Sequence, residues 1–201
     1  MPRAGLDQAA VVAAGAALAD EIGFAGLTMG RLAERVGVRT PSLYKHVAGQ
    51  EDLNRAIAAL ALDEAAHAVG TATQGRAGRD ALGAAAGAFR DFVVTHPGRY
   101  AATIGVEPTG PDDPIALAGL RLLEAFSAVL DSYAVGPGHR DHALRTVRSA
   151  LHGFATLQSA NGFQWSADVD ESFEWLVDLL DRGLRSAVHP TTSTGSAERT
   201  T

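Results

Sequence analysis

The residues best suited to chemistry lie in one short run near the N-terminus, where residues 39–47 read RTPSLYKHV. If Leu43 and Val47, one helical turn apart, face a core, then Arg39, Thr40, Ser42, Lys45 and His46 point outward. Hydroxyl and basic groups in such a row contact phosphate oxygens or base edges, and an outward Arg39 could read a guanine. Tyr44 adds an amphipathic ring whose hydroxyl can reach a phosphate. Residues 35–50 hold Arg35, Arg39, Lys45 and His46 and no acid, in a chain of net charge -6. A local basic patch on an acidic protein still steers toward a polyanion.

Other chemistries find less support. His139 and His142 stand at i, i+3 with Asp141 between them, a spacing that metal pairs can show. They fall at a Gly-Pro-Gly loop and a helix start, where a solvated or capping role is expected, so no metal site is expected. The chain has no Gly-x-Ser-x-Gly elbow, no phosphate-binding glycine loop and no HExxH, so neither an enzyme nor a cofactor is expected. With no cysteine, disulfides, thiolate zinc sites and a cysteine nucleophile are excluded. There is no uncharged run of 18 apolar residues, and the opening MPRAGLDQAA lacks the apolar core of a signal peptide, so a cytoplasmic chain outside any membrane is expected.

Elements that would position the basic run are legible around it. Apolar residues make up 46% of the chain and β-branched alternation is nearly absent, so an all-α protein is expected. Helix 1 should occupy residues 7–22, with Val11, Gly15, Leu18 and Ile22 on one face. Thr28 should cap helix 2, flanked by Leu27 and Leu32 as a hydrophobic staple, and Gly37 should end it in a left-handed turn. A short helix 3 is expected over 40–47, with Pro41 near its start. Helix 4 should begin near Asp52 and run to 69. Five more helices are expected over 79–96, 97–104, 113–132, 139–161 and 168–188, about nine in all. The polar stretch 190–201 reads as a disordered tail.

Helix 2, the Gly37-Val38 turn and helix 3 form the pattern of a helix-turn-helix, in which the second helix enters the major groove and the first crosses the backbone. The segment GLTMGRLAERVGVRTPSLYKHVAGQEDL resembles the signature of the TetR family of bacterial regulators. Gly26, Leu27, Thr28, Leu32, Ala33, Gly37, Val38, Leu43, Tyr44, His46 and Val47 carry the likeness, which covers about residues 7–60. The resemblance implies DNA contacts from Thr28, Arg39, Thr40, Pro41, Ser42, Tyr44, Lys45 and His46. Two positions depart from the family pattern. Gln50 stands where a phosphate-binding lysine is usual, and Gly30 stands where some members carry a basic contact. Gln50 can hydrogen-bond a phosphate but releases no counterion. A helical interaction module that no longer binds DNA is the alternative these departures leave open.

The family likeness also implies an N-terminal three-helix DNA-binding domain over 1–50 and a C-terminal helical domain over 51–189 that dimerises and holds a small-molecule effector. Apolar groups with polar tips that could line such a pocket are Phe89, Phe92, His96, Tyr100, Leu123, Phe126, His152 and Gln158. Each aromatic reads equally as core, His96 as a helix cap, and His152 and Gln158 as buried polar groups with protein partners. Leu144, Val147, Leu151, Phe154 and Gln158 line one face of the penultimate helix. Phe173, Leu176, Val177, Leu180 and Leu184 form a stripe on the last, with Trp175 and Leu179 beside it. That breadth points to a partner helix. A homodimer through these two helices would present two recognition helices to a pseudo-palindromic operator in double-stranded DNA, and family habit makes a repressor, released by an apolar ligand, the expected regulator.

Overall fold

The structure, a computed structural model, describes residues 6–186. The expected disordered tail and residues 187–188 of the expected final helix lie outside the described residues. Among those described there are nine α-helices and no strand: α1 (Gln8–Ile22), α2 (Met29–Val36), α3 (Thr40–Leu43), α4 (Gln50–Ala72), α5 (Gly78–Thr95), α6 (Pro97–Ala101), α7 (Pro114–Leu130), α8 (Pro137–Ser159) and α9 (Val169–Ser186). Short 3-10 turns follow α1 and α7. No described helix is long and apolar enough to cross a membrane.

Local signals set the first elements. The Asp7 carboxylate accepts the Ala10 N–H at 2.8 Å and starts α1. The Thr28 hydroxyl accepts the Arg31 N–H at 3.3 Å and starts α2, while Leu27 and Leu32 are both buried in the same core. Gly37 ends α2 with φ 72°, and its N–H returns to the carbonyls of Ala33 and Glu34. A Cβ at Gly37 would meet nothing within 4 Å, so only the backbone conformation resists a side chain there. Gly37→Ala is therefore expected to cost about 1–2 kcal/mol in chemical unfolding, the left-handed penalty alone. A neutral result would mean the turn can relax.

Two cores organise the chain. The first joins α1, α2 and α3 to the start of α4 through Val11, Leu32, Leu43, Leu53 and Ile57. Gly15 gives α4 room, since a Cβ there would sit 3.2 Å from side-chain carbons of both Leu53 and Ile57. The second core gathers the rest of α4 with α5, α7, α8 and α9 around Val69, Leu82, Phe89, Val93, Leu130, Leu151 and Val177. α4 runs through both, so any tilt of α4 is shared by both.

Two helices are shorter than the sequence pattern suggests. α3 is regular only to Leu43 and continues to His46 as turns, with the His46 and Val47 N–H groups both on the Leu43 carbonyl. The Ala48 N–H is taken by the Asp52 carboxylate at 2.9 Å, which draws the chain out of the helix and into α4. α6 stops at Ala101 rather than 104, and Gly105 follows with φ 73°.

Candidate nucleic-acid interface and its link to the helical body

Leu43 and Val47 are buried in the N-terminal core, at 0% and 2% exposure. That anchorage turns the other side chains of the segment outward. Tyr44 is 53% exposed, Arg39, Pro41 and Lys45 are exposed, and Thr40, Ser42 and His46 are partly so. Thr28 is exposed at the start of α2, with its hydroxyl engaged in the cap. All eight residues named for DNA contact thus lie along α2's start and the α3 segment.

The charges of this surface sort themselves by pairing. Arg35 is not available as the basic run suggested, because its guanidinium makes a two-pronged pair with Glu21 on α1 at 2.5 and 2.6 Å. Arg31 donates to the Gly26 carbonyl. Arg39 and Lys45 make no ion pair or side-chain hydrogen bond among the described residues. Their charges remain for a phosphate. Gln50 donates to the Asn54 side chain at 2.8 Å, so it turns along α4. Gly30 is exposed and open.

Behind this surface, α6 is clamped to α1. Asp20 on α1 accepts the Arg99 N–H and the Arg99 Nε–H, both at 2.8 Å, and lies 3.3 Å from His96 Nδ1. Arg99 also reaches Glu64 on α4 at 2.7 Å. Gly98 lies so close to α1 that a Cβ there would sit 1.9 Å from the Ala19 carbonyl oxygen. Sequence reasoning gave no hint of this node, whose partners are far apart in the chain.

The residues proposed as an effector pocket do not behave alike. Phe89 packs edge-on against Tyr100 and Phe126, with ring centroids 5.7 and 5.8 Å apart. The Tyr100 hydroxyl and His152 Nδ1 share a hydrogen bond at 2.8 Å, joining α6 to α8. Phe92 is buried and stacks near His96, which caps the α5–α6 corner toward Asp20. Gln158 accepts from Arg90 at 2.7 Å, and Arg90 lies over the Phe173 ring. Leu123 is 46% exposed on the outer side of α7, apart from the others. The two largest cavities described are lined by different residues.

Burial pushes the Tyr100 hydroxyl up to about 12, only partly offset by Arg148. Burial, then Arg148, holds the His152 imidazole below its usual 6.5. As pH falls, the unfolded chain takes up this proton first, so the contribution of neutral His152 is complete above 6.5 and lost through its lower folded value. The melting deficit of His152→Gln relative to wild type should therefore shrink from about pH 7.5 to about pH 5. A constant deficit would place this titration outside that window.

On α8 and α9 the expected apolar faces divide. Leu144, Val147, Leu151, Phe173, Val177, Leu180 and Leu184 are buried within the chain itself. Leu157 on α8 and Trp175 and Leu179 on α9 stay exposed, at 51%, 63% and 45%. His139 and His142 are exposed on the first turns of α8.

Known proteins share this arrangement. The family described as bacterial regulatory proteins, tetR family, matches residues 11–57, and the tetracyclin repressor-like C-terminal domain matches residues 82–180. An uncharacterized HTH-type transcriptional regulator of Mycobacterium tuberculosis, Rv0681, is 36% identical over 180 residues, covering 89% of this chain and 82% of that relative. The chain belongs to the TetR family. Among solved structures, a TetR variant from Acinetobacter baumannii AYE in complex with minocycline is 26% identical with a TM-score of 0.71, covering 92% of this chain and 100% of that one. BioQ with its double-stranded DNA operator is also 26% identical, with a TM-score of 0.68 over 92% of this chain and 100% of that one. The chain is thus a TetR-family helix-turn-helix transcriptional regulator, all-α as its sequence implied.

Proposed function

We propose that this TetR-family regulator is a cytoplasmic homodimer that represses transcription from a pseudo-palindromic operator and is released by a small, mostly apolar effector. One observation carries the DNA reading: Arg39, Tyr44 and Lys45 stand exposed, with no ion pair among the described residues, on a segment anchored by buried Leu43 and Val47. BioQ, of similar fold, binds its operator as double-stranded DNA, and the related TetR variant binds minocycline. The dimer reading rests on Leu157 of α8 and Trp175 and Leu179 of α9, large apolar side chains that one chain leaves uncovered.

The effector reading centres on Phe89, Tyr100, Phe126 and His152, an apolar cluster with one polar pair at its middle. Tyr100 belongs to α6, and α6 is clamped to α1, so a molecule that separates Tyr100 from His152 would move the DNA-binding unit. Such a ligand prefers a different spacing of the two recognition segments and weakens DNA affinity by linkage.

Sedimentation and operator binding test the proposal together. Leu179→Glu should give a monomer of unchanged helicity that binds operator weakly. Tyr44→Ala should stay dimeric and fold normally but lose about tenfold or more in operator affinity, about 1.4 kcal/mol. A dimeric Leu179→Glu protein, or a Tyr44→Ala protein with full affinity, would overturn the corresponding part.

A further inference from the structure

A cleft of 740 Å³ opens between the first turns of α1, the first half of α4 and the start of α7. None of Phe89, Tyr100, Phe126 and His152 lines it. Its walls are made by small side chains, Ala9 and Ala13 from α1 facing Ala56 and Ala59 from α4, over buried Val12 and Ile115. Larger side chains at these facing positions would close the space. Its size is that of a small-molecule site, and its mostly apolar lining includes a few polar groups, among them two carboxylates.

Those polar groups fall into two kinds. Asp113 is fully engaged: it accepts the Thr109 N–H and hydroxyl at 2.8 Å, the Ile115 N–H at 2.9 Å and the Arg55 guanidinium. The Thr109 and Ile115 N–H groups, with the Thr109 hydroxyl and Arg55, hold its carboxyl down to about 2, so it is ionised and Arg55 balances it. Asp52 differs. Its Oδ2 holds the Ala48 N–H, while its Oδ1 has no hydrogen-bond partner among the described residues. Two carboxylates against one guanidinium leave the charged lining of the cleft with one negative charge in excess, beside an apolar wall.

We infer that this cleft is a second ligand site, one that takes a small amphipathic amine with its apolar body between the alanine walls and its ammonium on Asp52. Occupancy reaches the DNA surface directly. The carboxylate that receives the ammonium is the one that ends the recognition segment at Ala48. The site also bridges α1 and α4 to α7, so a bound molecule ties the DNA-binding unit to the body by a route separate from α6.

The test is titration of the full chain with 1-naphthylmethylamine, followed by amide NMR and by calorimetry, with 1-naphthoate as the charge-reversed control. The amine should bind saturably, shift the Ala48 and Ala13 amides together, and bind about tenfold tighter than naphthoate. Ala13→Phe fills the cleft from an exposed position on α1, and Ala59→Phe fills it from α4. Each should weaken the amine about tenfold or more while the melting curve confirms folding. Asp52→Asn should abolish the preference for the amine over naphthoate. Equal binding of amine and naphthoate, amine binding unchanged in both filled variants, or shifts confined to the surroundings of Tyr100 and His152 would overturn the proposal. The last outcome would leave the effector reading above intact.

Discussion

Gly98→Ala is expected to destabilise this protein by about 3 kcal/mol, the upper range for an overpacked core, and to lower the melting temperature by roughly 10 °C. The added methyl would sit 1.9 Å from the Ala19 carbonyl oxygen and 2.5 Å from the Asp20 nitrogen, both backbone atoms that cannot rotate aside. Relief requires α6 to lift from α1. Lifting it stretches the two Arg99–Asp20 hydrogen bonds, which hold a partly buried carboxylate at 12% side-chain exposure. The same chemical change at Gly87 on α5 makes the control, since nothing lies within 4 Å of a Cβ there. Gly87→Ala should stabilise by about 0.5–1 kcal/mol through helix propensity. If the two variants melt alike, α6 is not seated on α1 as described.

Removing Arg39 and Lys45 together should leave stability within about 0.5 kcal/mol of wild type, because neither has a side-chain partner to lose among the described residues. Its effect on operator binding should be far larger. If each side chain neutralises one phosphate, a dimer loses four such contacts, the salt slope flattens by about 4, and affinity falls roughly thousandfold at physiological salt. Arg35→Ala is the informative comparison. It removes the same charge from the neighbouring helix, but that charge is already paired with Glu21 at 2.5 Å. It should flatten the slope by much less than removing Arg39 or Lys45 singly. Equal effects at positions 35, 39 and 45 would show that diffuse charge, rather than placed contacts, drives binding.

These contrasts mark what the sequence could and could not convey. The helix starts at Asp7 and Thr28, the stop at Gly37 and the inward Leu43–Val47 pair depend on neighbours within a few residues, so they were legible. The early end of α3 depends on Asp52, which reaches back to Ala48 across the start of the next helix. Arg35 counted toward a basic patch in the sequence, and folding brings Glu21 to it from 14 residues away. The Asp20–Arg99–Glu64 node and the Gly98 contact bring together residues from α1, α4 and α6, and no local period announces them. The effector candidates show the same limit. Residue type marked Phe89, Phe126 and Tyr100 as pocket or core, and they are buried together. Leu123 carries the same kind of signal yet faces outward, because hydrophobicity alone does not say which face of α7 meets α4.

The proposed dimer surface follows the same logic. On α8 and α9 the sequence showed a band of apolar residues too broad for one partner. Folding divides that band between an inner stripe that closes the chain's own core and an outer set, Leu157, Trp175 and Leu179, that one chain leaves bare. Only packing separates the two.

The most direct test of the account is binding of the purified full chain to duplex fragments from around its own gene, across a salt series, with footprinting of any fragment that binds. The account predicts one protected pseudo-palindrome, two protein chains per site, and an affinity that falls steeply and linearly in log–log form as salt rises. Binding that is equal on all fragments, or absent at low salt from every duplex tried, would contradict it and favour a helical interaction module whose helix-turn-helix no longer reads DNA.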